Sequence, residues 1–240
     1  MSWLRDHGYQ IISLGQAVGL LSGRSADRVG ARDSKYAVIT FDDGFEDVYT
    51  DAFPILARYE STATLFLPTA FISDTNTTVM DRRFLSWSQV RDLIKAGITV
   101  GSHTVTHKYL AELSRSQGED EIRRSKETIE DRTGAPVDTF SVPYAFPEND
   151  KDFISFMRKT LHACGYSCAV TTKIGIAVRG DDLFALRRIP MNGDDDSRLL
   201  HAKMAGGYDW LHTVQYMAKT LRGITGIKRR RSFEKWASRY

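Results

Sequence analysis

Residues 37–47 read AVITFDDGFED, an apolar, β-branched run that ends at once in two adjacent acids, a glycine and two further acids. Ala37 to Phe41 has the composition of a buried strand. Asp42 and Asp43 fall just beyond its end. An isolated carboxylate is costly to bury, and two side by side repel each other. One of the pair is therefore expected to take a cation and the other to move a proton. Read locally, Asp43-Gly44 is also an ordinary turn, with Glu46 or Asp47 as the cap of the next helix.

Working outward, apolar runs alternate with segments of helical period. Asp47–Tyr59 predicts a helix with Val48, Ala52, Ile55, Leu56 and Tyr59 on one face, bent or shortened by Pro54. Ala63–Leu67 reads as a strand. Ser86 or Ser88 caps a helix carrying Val90, Leu93 and Ile94, and Gly97 stops it. Ile98–Val100 is a strand, Glu119–Arg132 a charged helix ending at Gly134, and Asp138–Val142 a strand. Phe153–Ala163 is a helix; Ser167–Thr171 and Phe184–Ile189 are strands. The remainder is mainly helical. This alternation predicts a parallel α/β sheet or barrel, with its active site past the carboxyl ends of the strands.

A second stretch, GSHTVTH at residues 101–107, also follows a short apolar strand. His103 and His107 are four apart, so one helical turn would put both imidazoles on one face, a common metal-ligand spacing. His7, His162, His201 and His212 stand alone, and for them surface or satisfied-core roles are expected. Two histidines and one carboxylate at strand ends make a three-ligand site with open positions. No neighbouring residue offers the fourth ligand that a closed structural zinc site needs. An open site lets a metal polarise a carbonyl and activate water, with the spare carboxylate as base.

At this point the residues resemble a family. Thr40-Phe41-Asp42-Asp43-Gly44 is similar to the first motif of the polysaccharide deacetylases, also called the NodB homology domain or carbohydrate esterase family four. Ser102–His107 resembles the second motif, and Pro143-Tyr144 the core of the third. Phe53-Pro54-Ile55-Leu56 and Ala63-Thr64-Leu65-Phe66 are similar to the helix and strand after the first motif. The resemblance covers residues 36–190, with a weaker echo in His7-Gly8-Tyr9. It implies a distorted (β/α) barrel of about seven parallel strands. It also implies a divalent metal, usually zinc, and metal-dependent removal of acetyl groups from N-acetylated sugars. By motif position, Asp43, His103 and His107 are the implied ligands and Asp42 the general base. The peptide N–H of Tyr144 is implied to hold the oxyanion of the tetrahedral intermediate.

The sequence departs from the family in places. Where many members carry an arginine that orients the base, this chain has Ser141. Arg188, or else Arg187, is expected to supply that guanidinium. The glycine expected after the third motif's aromatic is Ala145. The apolar strand that leads to a proton-donating histidine is absent, which leaves His201 as the candidate acid, ahead of His212. No strand is read before residue 36, although members commonly have one there; this implies a shortened N-terminus or a different closure. These departures keep two other readings open: a hydrolase of small non-sugar amides, and a saccharide-binding homologue with impaired catalysis.

Composition bounds the rest. The 240 residues suit one sizeable domain, placed at residues 1–220 and followed by a basic helix or tail at 221–240. The net charge is only +3, and no aromatic stacking array accompanies the basic residues, so nucleic acid is not an expected partner. The basic run Lys228-Arg229-Arg230-Arg231 invites peripheral contact with an anionic membrane. The expected substrate partner is an N-acetylated oligo- or polysaccharide. Cys164 and Cys168 are expected to be structural rather than a disulfide framework. Met1–Gly8 lacks the pattern of a signal peptide and no stretch is long enough to span a bilayer, which favours a cytoplasmic or membrane-peripheral location.

Overall fold

The computed structural model describes residues 1–23, 34–79 and 81–207. From the N-terminus come helix α1 (Ser2–Asp6), strand β1 (Tyr9–Ile11), helix α2 (Leu14–Ser22), strands β2 (Lys35–Ala37) and β3 (Thr40–Phe41), helix α3 (Phe53–Arg58) and strand β4 (Thr64–Leu67). A small antiparallel hairpin, β5 (Thr78–Val79) and β6 (Arg82–Arg83), precedes α4 (Trp87–Lys95), β7 (Thr99–Ser102), α5 (Arg115–Thr133) and β8 (Thr139–Ser141). Helix α6 (Lys151–Ala163), strands β9 (Cys168–Ile174) and β10 (Leu186–Arg188), and α7 (Ser197–Met204) complete it.

Local chemistry explains most boundaries. Helices α2, α4 and α5 begin with capping boxes, Ser13 with Gln16, Ser86 with Gln89 and Ser114 with Gln117. Ser114 starts α5 four residues before the expected Glu119. The helix expected over 47–59 is divided. Residues Val48–Ala52 wind as a wider π-turn, closed by the N–H of Phe53 on the carbonyl of Val48, and α3 then starts with Pro54 in its first turn. There the missing N–H of proline costs no helical bond.

Six strands lie parallel in the order β10-β9-β8-β7-β4-β3. The expected strand over 37–41 is split, because its two halves choose different partners. Residues 35–37 pair in parallel with β1, Tyr9 against Lys35 and Ile11 against Ala37, whereas Thr40 pairs with Thr64 of β4. The expectation of no strand before residue 36 is thereby corrected. Tyr-Gln-Ile is too short to show a period, and the pairing alone makes it a strand. Counting β2 and β3 as one interrupted strand, β1 is the seventh.

The sheet curls into a distorted (β/α) barrel, and its two faces bury separate cores. Leu65 and Leu67 point outward to the helices, where they join Val90, Leu93, Ile122, Ile129 and Phe140. Phe66, between them, points inward to Leu14, Cys168, Val170 and Leu186. Leu14, Val18 and Leu21 of α2, one stripe at helical spacing, pack on this inner cluster. Helix α2 thus covers what the strands leave open. Gly101 of β7 is required by Phe66: a Cβ there would lie 2.5 Å from the ring and 2.6 Å from Oγ1 of Thr139.

No helix among the described residues is long and apolar enough to cross a membrane. The basic segment 221–240, the boundary drawn at residue 220, and His212 lie outside the described residues. Cys164 and Cys168 are free thiols.

Two expectations follow from the packing. Gly101→Ala should lower stability by about 1–3 kcal/mol in urea denaturation, since the buried Phe66 ring and the Thr139 side chain cannot yield cheaply. Burial pushes the Cys168 thiol up to about 12. Its thiolate, the reactive form, is therefore scarce until the pH approaches that value. Iodoacetamide at pH 9 should leave Cys168 of the native protein unlabelled, and unfolding in guanidinium should expose it to modification, as peptide mass mapping would show.

Candidate active site

The acids of the opening stretch lie where the barrel places them, at the carboxyl end of β3. Strand β7 ends in Ser102 and delivers His103; β8 ends in Ser141 and leads to Tyr144; β10 ends in Arg188. The backbone turns sharply beyond β3, β7 and β8. Asp43 (φ 74°) and Gly44 (φ 68°) are both left-handed, as are Thr104 (70°), His107 (53°) and Tyr144 (60°). Left-handed non-glycine residues cost on the order of 1–3 kcal/mol each and persist only where surroundings over-determine them. At Gly44 only glycine fits, because a Cβ would lie 2.9 Å from Ile72 and 3.0 Å from Leu67.

Asp43, His103 and His107 converge, with one ligand atom from each lying within 4.8 Å of the others. Oδ1 of Asp43 faces Nε2 of His103 at 3.4 Å and Nε2 of His107 at 3.3 Å, and the two Nε2 atoms are 3.2 Å apart. Both histidines are only 2% exposed. Nδ1 of His103 donates to the carbonyl of Ser141 at 2.8 Å. A carbonyl only accepts, so the neutral ring carries its proton on Nδ1 and turns the lone pair of Nε2 to Asp43. Oδ1 of Asp43 is buried and makes no hydrogen bond. A buried carboxylate oxygen and two imidazole nitrogens aimed at one point suit a divalent cation, and the donor set suits zinc.

The electrostatics agree with that fit. Burial works against the charge on Asp43, but the two facing imidazoles outweigh it and lower its pKa. Burial also works against a charge on His103, yet Asp42 and Asp43 pull its pKa above the ordinary value, while in His107 burial prevails and the pKa falls. The site favours one positive charge at its centre.

Asp42 has a different partner. The guanidinium of Arg188 donates to Oδ1 at 2.9 Å through Nη1 and to Oδ2 at 2.7 Å through Nη2, a bidentate fork. Its Nε donates to the carbonyl of Thr171 at 3.0 Å, and its remaining hydrogens reach Oγ1 of Thr40 and Oγ of Ser141 at 3.3 Å each. Burial pushes Asp42 up, but Arg188 and the nearby His103 hold the carboxyl well below the usual carboxylate range. Of the two arginines weighed from sequence, Arg187 faces away and pairs with Asp181 at 3.5 Å.

Three expectations fare differently. The segment 103–107 is not a helical turn; it is a loop that holds left-handed Thr104 and His107, and the N–H groups of Val105 and Thr106 bond to Glu121 rather than to carbonyls of a helix. The left-handed residue of the third motif is Tyr144 itself, so Ala145 meets no glycine requirement. The Tyr144 ring packs 4.8 Å from His107, and its carbonyl accepts from Oγ1 of Thr172 at 2.9 Å. His201 is not brought to this group. It is exposed on α7, with its ring 5.7 Å from Trp3 and 6.0 Å from His7. Its ring contacts are with these two aromatic residues of the N-terminal segment and not with Asp42, Asp43 or the paired histidines. Thr171 and Glu121, which hold Arg188 and the histidine loop, carry no sequence signal beyond their types.

Residues 30–168, more than half of the chain, match the profile of the family described as Polysaccharide deacetylase. The chain belongs to the polysaccharide deacetylase family. YxkH of Bacillus subtilis (strain 168), whose name places it among the polysaccharide deacetylases, is 29% identical over 189 residues, 79% of this chain and 61% of that protein. The poly-beta-1,6-N-acetyl-D-glucosamine N-deacetylase of Escherichia coli (strain K12) is 34% identical over 119 residues, 45% of this chain and 17% of that protein. The structure of the Streptococcus pyogenes deacetylase PplD in complex with acetate aligns with a TM-score of 0.71 at 25% identity, covering 85% of this chain and 83% of that one. The chain spans less than two thirds of the length of the curated relatives YxkH and the E. coli enzyme.

In this polysaccharide deacetylase domain Arg188 donates to five oxygen atoms from a planar fork, whereas a lysine ammonium has only three donors. Arg188→Lys should lower stability by about 1.5–3 kcal/mol, and Arg188→Ala by about 3–5 kcal/mol, because the charge of Asp42 then stays behind unpaired. Denaturant midpoints of the three proteins would check the order.

Proposed function

We propose that this chain is a metal-dependent hydrolase that removes acetyl groups from the N-acetylated sugars of a polysaccharide or lipid-linked saccharide. The observation that carries the reading is the pairing of two unlike sites a residue apart. Asp43 joins two imidazoles around a point that favours positive charge, and Asp42 is held anionic beside it by Arg188. Membership of the family and the likeness to a poly-beta-1,6-N-acetyl-D-glucosamine N-deacetylase support the substrate class.

In this reading Asp43, His103 and His107 hold the cation, with zinc as the expected metal. A carboxylate as acidic as Asp42 is a weak base, and a divalent cation supplies the Lewis acidity it needs, polarising a carbonyl oxygen and acidifying water to a pKa of roughly 7. Asp42 takes the proton of the water whose oxygen attacks the acetyl carbon. Arg188 orients the carboxylate through both oxygens, so that it meets the water in one geometry. The N–H of Tyr144, in its left-handed turn, donates to the developing oxyanion. Protonated Asp42 is a strong acid in this setting, and it returns its proton to the sugar nitrogen as the C–N bond breaks. The products are acetate and the free amine. His201, packed against Trp3 and His7, is given no part in these steps.

The test is acetate release from N-acetylglucosamine oligomers of β-1,6 and β-1,4 linkage, run beside a panel of small amides. Asp42→Asn should lose at least about 100-fold in turnover, the usual scale for a general base, while metal content stays unchanged. His103→Ala and His107→Ala should lose both. Full activity in metal-free protein would refute the mechanism. Release from small amides alone would refute the substrate class. Metal-dependent binding of the oligomers with no acetate formed would leave a saccharide-binding protein instead.

A further inference from the structure

We propose that Glu121, on α5, is a positioning residue of the metal centre, holding the loop that carries His107 in the one shape that aims its ring at Asp43. The inference rests on the metal site proposed above. Oε2 of Glu121 accepts from the N–H groups of Val105 and Thr106 at 2.8 Å each, and Oε1 accepts from Oγ1 of Thr106 at 2.6 Å. Two successive N–H groups closing on one carboxylate oxygen form an anion nest, here filled by a side chain of the same chain.

The rest of the loop is tied down on the other side. The carbonyls of Thr104 and Val105 accept from the N–H groups of Thr69 and Ala70 at 3.2 and 2.9 Å. Oγ1 of Thr104 accepts from the N–H of His107 at 3.0 Å. Between left-handed Thr104 and His107, the conformation is therefore imposed by partners outside the loop. Helix α5 is itself a firm base: Ile122 and Ser125 beside Glu121 are fully buried, Ser125 bonds to Ser102 of β7, and Tyr166 donates to the carbonyl of Ile122. Glu121 carries that rigidity to the second histidine, as an outer partner does for a metal ligand.

Val105 and Thr106 are only half-buried, so water can replace the carboxylate without unfolding the domain. What is lost is the fixed loop. This separates positioning from general stability. Glu121→Ala should weaken Co(II) and Zn(II) binding by about 10–100-fold, measured by competition with a chromophoric chelator on the whole chain. The melting temperature of the metal-free protein should move little. The visible absorption of bound Co(II), which reports ligand geometry, should change as well. Glu121→Gln should recover most of the affinity and the spectrum. Its amide oxygen can accept both N–H groups, and its NH2 can donate to Thr106. Glu127→Ala, at an exposed ion pair on the same helix, should bind as the unaltered chain does. Should Glu121→Ala fail to fold, Thr106→Val, which removes one bond of the three, should still weaken binding several-fold. Native affinity and spectrum in folded Glu121→Ala, or in Thr106→Val if that is the variant tested, would overturn the proposal. So would a Glu121→Gln as weak as alanine. If the unaltered chain binds neither ion, it is the metal-site reading that fails.

Discussion

The fork between Arg188 and Asp42 joins the two ends of one sheet. Arg188 belongs to β10 at one edge, and Asp42 follows β3 at the other, with β9, β8, β7 and β4 between them. Among the described residues no ladder of backbone bonds joins β10 to β3. The guanidinium joins them instead, adding Thr40 on one side and Thr171 on the other. A sheet this curled brings the carboxyl ends of β3, β7, β8 and β10 around one small space. Every residue assigned a part in the chemistry stands on that rim.

The same contact determines what the two adjacent aspartates can do. Their covalent adjacency would ordinarily make them compete for one environment. The left-handed turn at Asp43 sends them apart, Asp42 to an arginine and Asp43 to two imidazoles. One carboxylate is held anionic by a permanent cation, and the other offers an oxygen that a movable cation can take. Repulsion between the two charges is thereby answered by separate partners and not by neutralisation. Burial raises the stakes, since each partner's loss would strand a charge in a poor solvent.

Around this centre the domain holds strained loops on rigid supports. Left-handed Asp43, Thr104, His107 and Tyr144 all lie within the three loops of the site. Each loop is tied to a neighbour: the acid turn to Leu85 through the carbonyl of Gly44, the histidine loop to α5 through Glu121, and the Tyr144 turn to β9 through Thr172. The loops supply reach, and the barrel supplies precision.

Much of this was legible in the chain itself. Alternating apolar and helical periods announced the parallel α/β architecture, and Ser86 marked the start of α4, because both signals are local and covalent. The types and order of Asp42, Asp43, His103 and His107 announced an acid pair and a histidine pair at strand ends. Other features had no local signature. Tyr9–Ile11 is a strand only because Lys35–Ala37 lies beside it. His103 and His107 meet through a loop clamped by Glu121, not through the helical turn their spacing suggests. His201 lies against Trp3 and His7, and Arg188 rather than Arg187 meets Asp42 because strand alternation turns one inward and the other out. Sequence spacing determined which residues were available. The curl of the sheet, which brings side chains 146 positions apart within hydrogen-bonding distance, decided which of them met.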